Sequence, residues 1–236
     1  MAIFAISDLH LSFGVDKPMN VFGKIWDNYE EKIKEDWMQN VTLNDTVIIP
    51  GDISWGIDFK EAYPDFKFIN DLPGKKIILR GNHDYYFNTK TKVENFLKES
   101  NFDTIKLLHN NAYEVEDYIL CGTRGWTTSE DTNKAEDKKI ISREEGRLRL
   151  SLEDGKRIQE SLKEKGIDKD IIVAMHYPPF NDNFMSIMQE YKVKLCIYGH
   201  LHGYGHKLVQ EGNINGVECK MVSCDYTGFR LVKLFE

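Results

Sequence analysis

The chain has 236 residues, enough for one α/β domain with a buried core, and we expect a single domain over residues 1–236. Its 38 acidic and 31 basic residues give a formal charge of -7, which argues against a protein that tracks a long nucleic-acid backbone. No apolar run approaches the roughly 18 residues of a membrane span, no secretory leader precedes the first apolar run, and no cysteines form a CxxC pair. We therefore expect a soluble, cytoplasmic protein with reduced thiols that does not bind membranes.

Continuous apolar runs typical of buried strands recur along the chain. They are AIFAIS (2–7), TVIIP (46–50), KKIILR (75–80), DIIVAMH (170–176) and KLCIYG (194–199). Because these runs are continuous rather than alternating, both faces of each strand are predicted to be buried. The segments 104–125 and 207–236 have the pattern of hairpin-like strands that extend or cover the sheet.

Helical patterns lie between these runs. Residues 20–40 form one apolar stripe, made of Phe22, Trp26, Tyr29, Ile33 and Trp37. A second helix is predicted around 59–71, with its regular part beginning near Pro64, and a third at about 142–165. The polar stretch at about 127–141 is predicted to be a loop, either a lid or a mobile surface connection. Alternating strands and helices over the first hundred residues predict βαβ units and a mainly parallel inner sheet, and hence an α/β fold.

Polar side chains follow five of the predicted strands directly. They are Asp8 and His10, then Asp52, then Asn82, His83 and Asp84, then His176, and finally His200 and His202. In an open α/β sheet the carboxyl ends of the strands lie on one edge, where ligands bind. Each motif alone has a plainer explanation, such as a helix cap for DLH or a tight turn for GNHD. Their occurrence in order, each at a strand end, favours one shared site.

The residue types at these strand ends indicate a metal site. Mixed imidazole and carboxylate ligands without thiolate suit zinc, manganese or iron, whereas calcium and magnesium favour all-oxygen shells. The candidates number about twice the three protein ligands of a typical catalytic zinc, so we expect two ions. One carboxylate would then bridge, and Asp52, preceded by a glycine that permits a sharp turn, is our choice. The candidate ligands are Asp8, His10, Asp52, Asn82, His176, His200 and His202.

The ordered motifs DLH, GD, GNHD, HYPP and GHLH, spanning residues 8 to 202, resemble the pattern of the calcineurin-like metallophosphoesterases. The resemblance implies a double β-sandwich of two mixed sheets flanked by helices, classed as α/β, or as α+β in some schemes. It implies one metal held by Asp8, His10, Asp52 and His202, and a second held by Asp52, Asn82, His176 and His200. It also makes His83 the non-ligand histidine that approaches the scissile phosphate, with Asp84 as its orienting carboxylate.

The expected activity is that of a dinuclear metal phosphoesterase acting on a small phosphorylated substrate, either a phosphomonoester or a phosphodiester. Two cations roughly 3.5–4 Å apart can bind phosphate and acidify a bridging water to the hydroxide that attacks phosphorus. His83, when protonated, would donate to the leaving oxygen. A nuclease of the same superfamily is the alternative. A non-catalytic protein-binding scaffold is a third hypothesis, but a scaffold needs neither His83 nor a full ligand set.

Several further residues lie near the predicted strand ends or outside the motifs. Arg124, in CGTRGW, is a candidate for binding phosphate oxygens, with a surface ion pair as the alternative. Trp55 and Trp126 could stack on a base, although packing at the core or rim is the favoured interpretation. His206 is interpreted as a loop histidine, with a substrate contact as the alternative, and His109 as structural.

Overall fold

The structure is a computed structural model that describes residues 1–127 and 134–236. Within these ranges the strands are β1 (Ile3–Ala5), β2 (Thr46–Ile49), β3 (Lys75–Ile78), β4 (Ile105–Leu107), β5 (Tyr113–Val115), β6 (Tyr118–Thr123), β7 (Asp170–Met175), β8 (Leu195–Tyr198), β9 (Gly212–Ile214), β10 (Val217–Met221) and β11 (Val232–Phe235). The α-helices are α1 (Tyr29–Asn40), α2 (Phe59–Asp71), α3 (Lys90–Glu99), α4 (Lys134–Lys163) and α5 (Asp182–Glu190). Short 3-10 helices occupy Met19–Phe22, Lys24–Trp26 and Gly203–Leu208.

The first sheet has the strand order β11-β1-β2-β3-β4. Strands β1 to β4 pair in parallel, while β11 runs antiparallel to β1 at the edge. The parallel strands alternate with α1, α2 and α3 along the chain. This arrangement confirms the predicted βαβ organisation of the first hundred residues.

The second sheet has the strand order β5-β6-β7-β8-β10-β9. Its inner strands β6, β7, β8 and β10 are parallel, and antiparallel hairpins add β5 and β9 at the two edges. The segments 104–125 and 207–236 therefore contain the predicted hairpins. Each also contributes one strand, β4 or β11, to the first sheet.

The two sheets are joined by a buried apolar cluster that draws on both. Ile3, Ile48 and Ile77 of the first sheet belong to it, together with Leu120 and Ile172 of the second. Helices α1, α2 and α3 share a second cluster with residues of the first sheet, and α4 and α5 share a third with the second sheet. The implied architecture, two mixed sheets flanked by helices in an α/β fold, is confirmed.

The first helix begins later than the apolar stripe predicts. Gly23 has a φ of 133° and Asn28 a φ of 53°, and neither conformation continues an α-helix, so α1 begins at Tyr29. The residues before it form short 3-10 turns. Trp26 is buried as predicted, but Phe22 is 64% exposed, so its assignment to the buried stripe is wrong.

The second helix begins at Phe59, five residues before Pro64, so the expectation that its regular part begins near Pro64 is wrong. The Asp58 side chain accepts hydrogen bonds from the backbone N–H groups of Lys60 and Glu61, both at 2.9 Å. This N-cap satisfies the free N–H groups of the first turn, so the helix can begin there.

The fourth helix overlaps the polar loop predicted at about 127–141, because α4 begins at Lys134 rather than near 142. Glu136 and Asp137 in its first turn carry the charge that a helix N-terminus favours, and Ile141 is buried. The loop assignment is therefore wrong for residues 134–141, and residues 128–133 lie outside the described part of the chain. Among the residues that the structure does describe, no helix combines the length and apolar composition needed to cross a bilayer.

Candidate metal centre

The carboxyl ends of strands from both sheets meet at one place, and the predicted ligands lie there. The first sheet supplies Asp8 and His10 after β1, Asp52 after β2, and Asn82 after β3; the second supplies His176 after β7, and His200 and His202 after β8. Contacts across the sandwich join the two sets, such as 3.2 Å between Asp8 Oδ1 and His202 Nε2. The site therefore lies where the edges of the two sheets meet.

Four of these residues have a left-handed backbone, which non-glycine residues rarely adopt. Their φ angles are 60° at Asp8, 45° at His10, 51° at Asp52 and 74° at His200. Each such conformation costs about 1–3 kcal/mol, and strain of this kind concentrates at functional sites. Backbone hydrogen bonds between the loop after β1 and the loop after β2 help to hold this conformation. They run from Asp8 N–H to the Gly51 carbonyl at 3.1 Å and from His10 N–H to the Asp52 carbonyl at 2.9 Å.

Two glycines allow the ligands their close approach. A Cβ at Gly81 would lie 2.0 Å from Asp52 Oδ1, and a Cβ at Gly199 would lie 2.3 Å from Asp8 Oδ2. Both distances are far below van der Waals contact, so no other residue fits at these positions without moving a carboxylate. The glycines in GNHD and GHLH are therefore required by the packing of the carboxylates.

Asp8, His10 and His202 form one group whose ligand atoms lie within 4.8 Å of one another. Nε2 of His202 is 3.2 Å from Asp8 Oδ1 and 3.3 Å from Nε2 of His10. Two imidazole nitrogens and a carboxylate oxygen thus face a common point, and this donor set suits zinc, manganese or iron.

His176 anchors a second group with Asp52 and Asn82. Its Nδ1 lies 3.0 Å from the Pro50 carbonyl, which can only accept, so Nδ1 carries the proton and Nε2 carries the lone pair. That lone pair faces Asn82 Oδ1 at 2.6 Å and Asp52 Oδ2 at 3.5 Å. Burial lowers the pKa of His176 to about 3, so the ring is neutral. One nitrogen and two oxygen atoms facing each other in this way can hold a cation between them.

Asp8 also belongs to a cluster with Asp52 and His176. The His176 atom nearest Asp8 is Nδ1, at 3.9 Å from Oδ1, and that atom already donates to Pro50. Asp52 Oδ2, in contrast, lies 3.7 Å from Nε2 of His10 and 3.5 Å from Nε2 of His176. Asp52 therefore lies between the two groups, as a bridging carboxylate must.

His200 adjoins the second group. Its ring centroid is 5.2 Å from that of His176, and burial lowers its pKa to about 4, which leaves a neutral imidazole. Its backbone N–H also donates to both oxygens of Asp8, at 3.2 and 3.0 Å. The structure thus brings all seven predicted ligands into one cluster, in which Asp8, His10, Asp52 and His176 are buried and the other three are partly exposed.

The site concentrates negative charge away from water. Burial raises the pKa of Asp52 well above its ordinary value, and the carboxylates of Asp84 and Asp8 raise it further. Burial also opposes ionisation of Asp8, but the neighbouring histidines outweigh it and lower the pKa of Asp8. For His202, burial favours the neutral ring, yet Asp8 and Asp225 raise its pKa to about 10. A bound cation would relieve the same repulsion among carboxylates.

His83 lies beside the ligand cluster, but Asp84 does not orient it. The Asp84 carboxylate accepts hydrogen bonds from the backbone N–H groups of Gly81 at 2.7 Å, Ile53 at 2.8 Å and Asp52 at 3.0 Å. Its side chain turns inward because these buried N–H groups need an acceptor. The expected contact between Asp84 and His83 is therefore a wrong prediction, and Asp84 instead ties together the loops that carry Asp52 and Asn82.

The partner of the His83 ring is a tyrosine that the sequence motifs did not indicate. Nδ1 of the His83 ring lies 3.2 Å from the Tyr85 hydroxyl, and the backbone N–H of His83 donates to Asp52 Oδ1 at 2.8 Å. The ring is half-buried, with its centroid 5.6 Å from that of His10. Burial lowers the pKa of His83, and the nearby Lys17 ammonium lowers it further.

Arg124 forms a buried ion pair. Its guanidinium lies 3.6 Å from Glu144 Oε1, and only 11% of the Arg124 side chain is exposed. Glu144, fully buried, also contacts Arg147 Nη1 at 2.7 Å and accepts a hydrogen bond from Thr123 Oγ1 at 2.8 Å. The ion-pair alternative thus accounts for Arg124, although the pair is buried rather than on the surface.

The two tryptophans pack as expected. Trp55, 7% exposed, stacks on His10 with ring centroids 4.8 Å apart, and the Lys17 ammonium lies 3.2 Å from the centroid of its indole. Trp126 donates from Nε1 to Asp137 Oδ1 at 2.9 Å. These contacts favour packing over base stacking for both residues.

Ser223 and Asp225 contact the ligands and were missed by the sequence analysis. Ser223 Oγ donates to Asp8 Oδ2 at 2.7 Å, and Asp225 Oδ1 lies 2.9 Å from His202 Nδ1. Both residues follow the end of β10, so the strand-end pattern used for the other residues would have found them. His206 Nε2 lies 3.1 Å from Asp225 Oδ2, which gives this loop histidine a neighbour next to the site.

A family model described as calcineurin-like phosphoesterase matches residues 1–204. A solved structure of the Aquifex aeolicus protein of unknown function AQ665 is similar, with a TM-score of 0.51 and 16% identity over 98% of this chain and 95% of that one. So is TT1561 of Thermus thermophilus, with a TM-score of 0.54 and 12% identity over 99% and 97% of the two chains. At these identities the likeness shows the fold alone. No curated protein matches the sequence significantly.

Proposed function

Since the chain belongs to the calcineurin-like phosphoesterase family, we propose that it is a dinuclear metal phosphohydrolase that cleaves a small phosphomonoester or phosphodiester. The observation that carries this proposal is the pair of donor groups around Asp52, with imidazole lone pairs, carboxylates and an amide oxygen facing common points. The formal charge of -7 favours a small substrate over a long nucleic acid.

The ligand assignment follows from the two groups. Asp8, His10, Asp52 and His202 would hold one ion, and Asp52, Asn82, His176 and His200 the other. Manganese, zinc or iron fits these donors, because they combine neutral imidazoles with carboxylates and include no thiolate. The neutrality of His176 and His200, whose burial lowers their pKa to about 3 and about 4, supports the assignment because imidazole binds metals in its neutral form.

Two bound cations would supply Lewis acidity toward the phosphate oxygens and an activated water as nucleophile. The chain's own contribution is to fix the donors through strained loops, to exclude water by burying the carboxylates, and to present His83 at the margin of the cluster. Burial lowers the pKa of His83 in the free protein. An anionic phosphate beside the ring would favour its protonated form. His83 would then give that proton to the leaving oxygen, with the Tyr85 hydroxyl holding Nδ1.

The test is an activity panel on purified protein with Mn²⁺, Zn²⁺ or Fe²⁺, and with chelator. The substrates are an aryl phosphomonoester, a bis-aryl phosphodiester, cyclic nucleotides, phospholipid head groups and short DNA. We expect metal-dependent hydrolysis of at least one small ester, loss of that activity in chelator, and loss in the Asp52→Asn variant. A protein that binds two ions and hydrolyses none of these compounds would refute the proposal, and cleavage confined to DNA would support the nuclease alternative instead.

A further inference from the structure

The segment Ser223–Asp225 lies outside the residues 1–204 that match the family model, yet it contacts two ligands of the same candidate ion. Ser223 Oγ donates to Asp8 Oδ2 at 2.7 Å, and both residues are fully buried. Asp225 Oδ1 lies 2.9 Å from Nδ1 of His202, and the Asp225 side chain is only 1% exposed. Buried polar contacts of this kind hold side chains in one orientation.

The fold inserts this segment between the strand ends that carry those ligands. Strand β10, just before it, pairs in parallel with β8, which leads into His202. Beyond β10, the Cys224 N–H donates to the Ser7 carbonyl at 2.9 Å, next to Asp8. Backbone hydrogen bonds thus attach the segment to both sides, and the positions of Ser223 and Asp225 are set by the sheet.

Each contact engages one polar atom of the ligand and leaves the atom that faces the candidate ion position available for metal binding. When the His202 ring is neutral, as metal binding requires, and its Nδ1–H donates to Asp225, the lone pair is on Nε2, the atom that faces Asp8 and His10. With Ser223 on Oδ2, the Oδ1 atom of Asp8 is the one that lies 3.2 Å from His202 Nε2. The segment therefore orients two ligands toward one point.

The second donor group is held differently. Its His176 is oriented by the Pro50 carbonyl at 3.0 Å, and Oδ1 of its Asp52 accepts from the His83 N–H at 2.8 Å. Within residues 1–127 and 134–236, neither His176 nor Asp52 has a hydrogen bond to Ser223 or Asp225. Of the candidate ligands in the described ranges, Ser223 and Asp225 therefore hydrogen-bond only Asp8 and His202.

We propose that Ser223 and Asp225 are positioning residues that set the affinity of the ion held by Asp8, His10 and His202, and leave the ion at His176 unaffected. This inference rests on the proposed function, because it assumes that both donor groups bind metal. Outer partners of metal-bound histidines and carboxylates typically contribute about 10–100-fold in affinity. The two ions would accordingly respond differently to changes in this segment.

The test titrates metal-free protein with Mn²⁺ by calorimetry and measures metal content by elemental analysis. We expect Asp225→Ala to weaken one of two binding steps about 10–100-fold. Asp225→Asn, which keeps an acceptor oxygen but removes the charge, should weaken it less, and Ser223→Ala should weaken the same step. Glu211→Gln is the matched control, since Glu211 lies in the same C-terminal region and bonds only Met221 and Tyr226 among the described residues.

Two backgrounds identify the affected ion. In His176→Ala, which disrupts the second group, Asp225→Ala should weaken the remaining step; in His10→Ala, which disrupts the first group, it should change nothing. Far-UV circular dichroism identifies variants that fail to fold, and the near-isosteric Asp225→Asn then carries the test. Equal weakening of both steps, or none, would overturn the inference while leaving the proposed function intact. A parent protein that binds no Mn²⁺, Zn²⁺ or Fe²⁺ would instead refute the proposed function.

Discussion

Nδ1 of His83 lies 3.2 Å from the hydroxyl of Tyr85, two residues further along the chain. This contact takes the place of the expected pairing between His83 and Asp84. Because Tyr85 is 52% exposed, the histidine is oriented from the solvent side of the site rather than by a buried carboxylate. A neutral hydroxyl holds the ring without a charge that would favour the imidazolium, so in the proposed mechanism the phosphate of the substrate would supply that charge.

Replacing His83 with alanine separates proton donation from metal binding. We expect His83→Ala to keep its metal content and to lose about 10²–10⁴ in rate for esters with poor leaving groups. The loss should be smaller for an activated aryl ester, whose leaving group needs no proton. Elemental analysis and kinetics on both esters provide the measurement, and unchanged turnover of the poor leaving group would remove His83 from the mechanism.

Tyr85→Phe tests the orientation of that ring. Loss of a hydrogen bond worth about 0.5–1.5 kcal/mol predicts a decrease in kcat of roughly two- to tenfold for the poor leaving group, with KM nearly unchanged. When His83 is already alanine, adding Tyr85→Phe should cause no further decrease in kcat. An equal loss in the His83→Ala background would show that Tyr85 acts independently of the histidine.

Asp84→Asn should act on stability. The amide cannot accept as many hydrogen bonds in the same geometry, so buried N–H groups around Gly81 and Ile53 lose their acceptor. We expect a decrease of about 1–3 kcal/mol in the free energy of unfolding, measured by urea denaturation. Asp103→Asn, at an exposed position, is the control. A stable variant with an altered pH–rate profile would restore Asp84 to the chemistry.

Arg124→Gln distinguishes an ion pair from a phosphate-binding residue. The variant leaves buried Glu144 with fewer partners, so we expect the unfolding free energy to fall by about 1–3 kcal/mol, less than for a fully unpaired charge because Arg147 remains. We expect KM to stay within twofold of the parent value. An increase in KM of tenfold or more, at unchanged stability, would indicate that Arg124 binds substrate.

Asp65 gives the fold a pH dependence outside the metal centre. Its carboxylate accepts from the Phe13 N–H at 2.8 Å and from the Ser54 hydroxyl, and burial raises its pKa from 3.8 to about 6. Between these two values the folded state binds more protons than the unfolded state, so this residue's contribution to stability falls as pH rises through about 6. The free energy of unfolding of Asp65→Asn, taken relative to that of the parent, should therefore be higher at pH 7.5 than at pH 4.5, by on the order of 2 kcal/mol. Denaturation of both proteins at the two pH values tests this, and a constant difference would contradict it.

The strand ends of the site were predictable because each ligand follows a continuous apolar run, and parallel strands bring their carboxyl ends together. His83 lies beside the cluster, as its motif predicts, but Asp84 bonds to backbone N–H groups and not to His83. A local motif does not reveal which buried N–H groups need an acceptor. Ser223 and Asp225 obey the same strand-end pattern but follow β10, in a segment interpreted only as a hairpin. The late start of α1 depends on left-handed backbone at Asn28, which apolar periodicity does not encode.

Each proposed ion takes ligands from both halves of the sandwich: Asp8 and His10 face His202, and Asn82 faces His176. The distance between those ligands is therefore set by how the two sheets pack against each other across the apolar cluster that contains Ile48 and Ile172. A substitution in that apolar layer, remote from any phosphate, would shift one half of the coordination shell against the other. The distance between the two ions would thus depend on how the two sheets are aligned with each other.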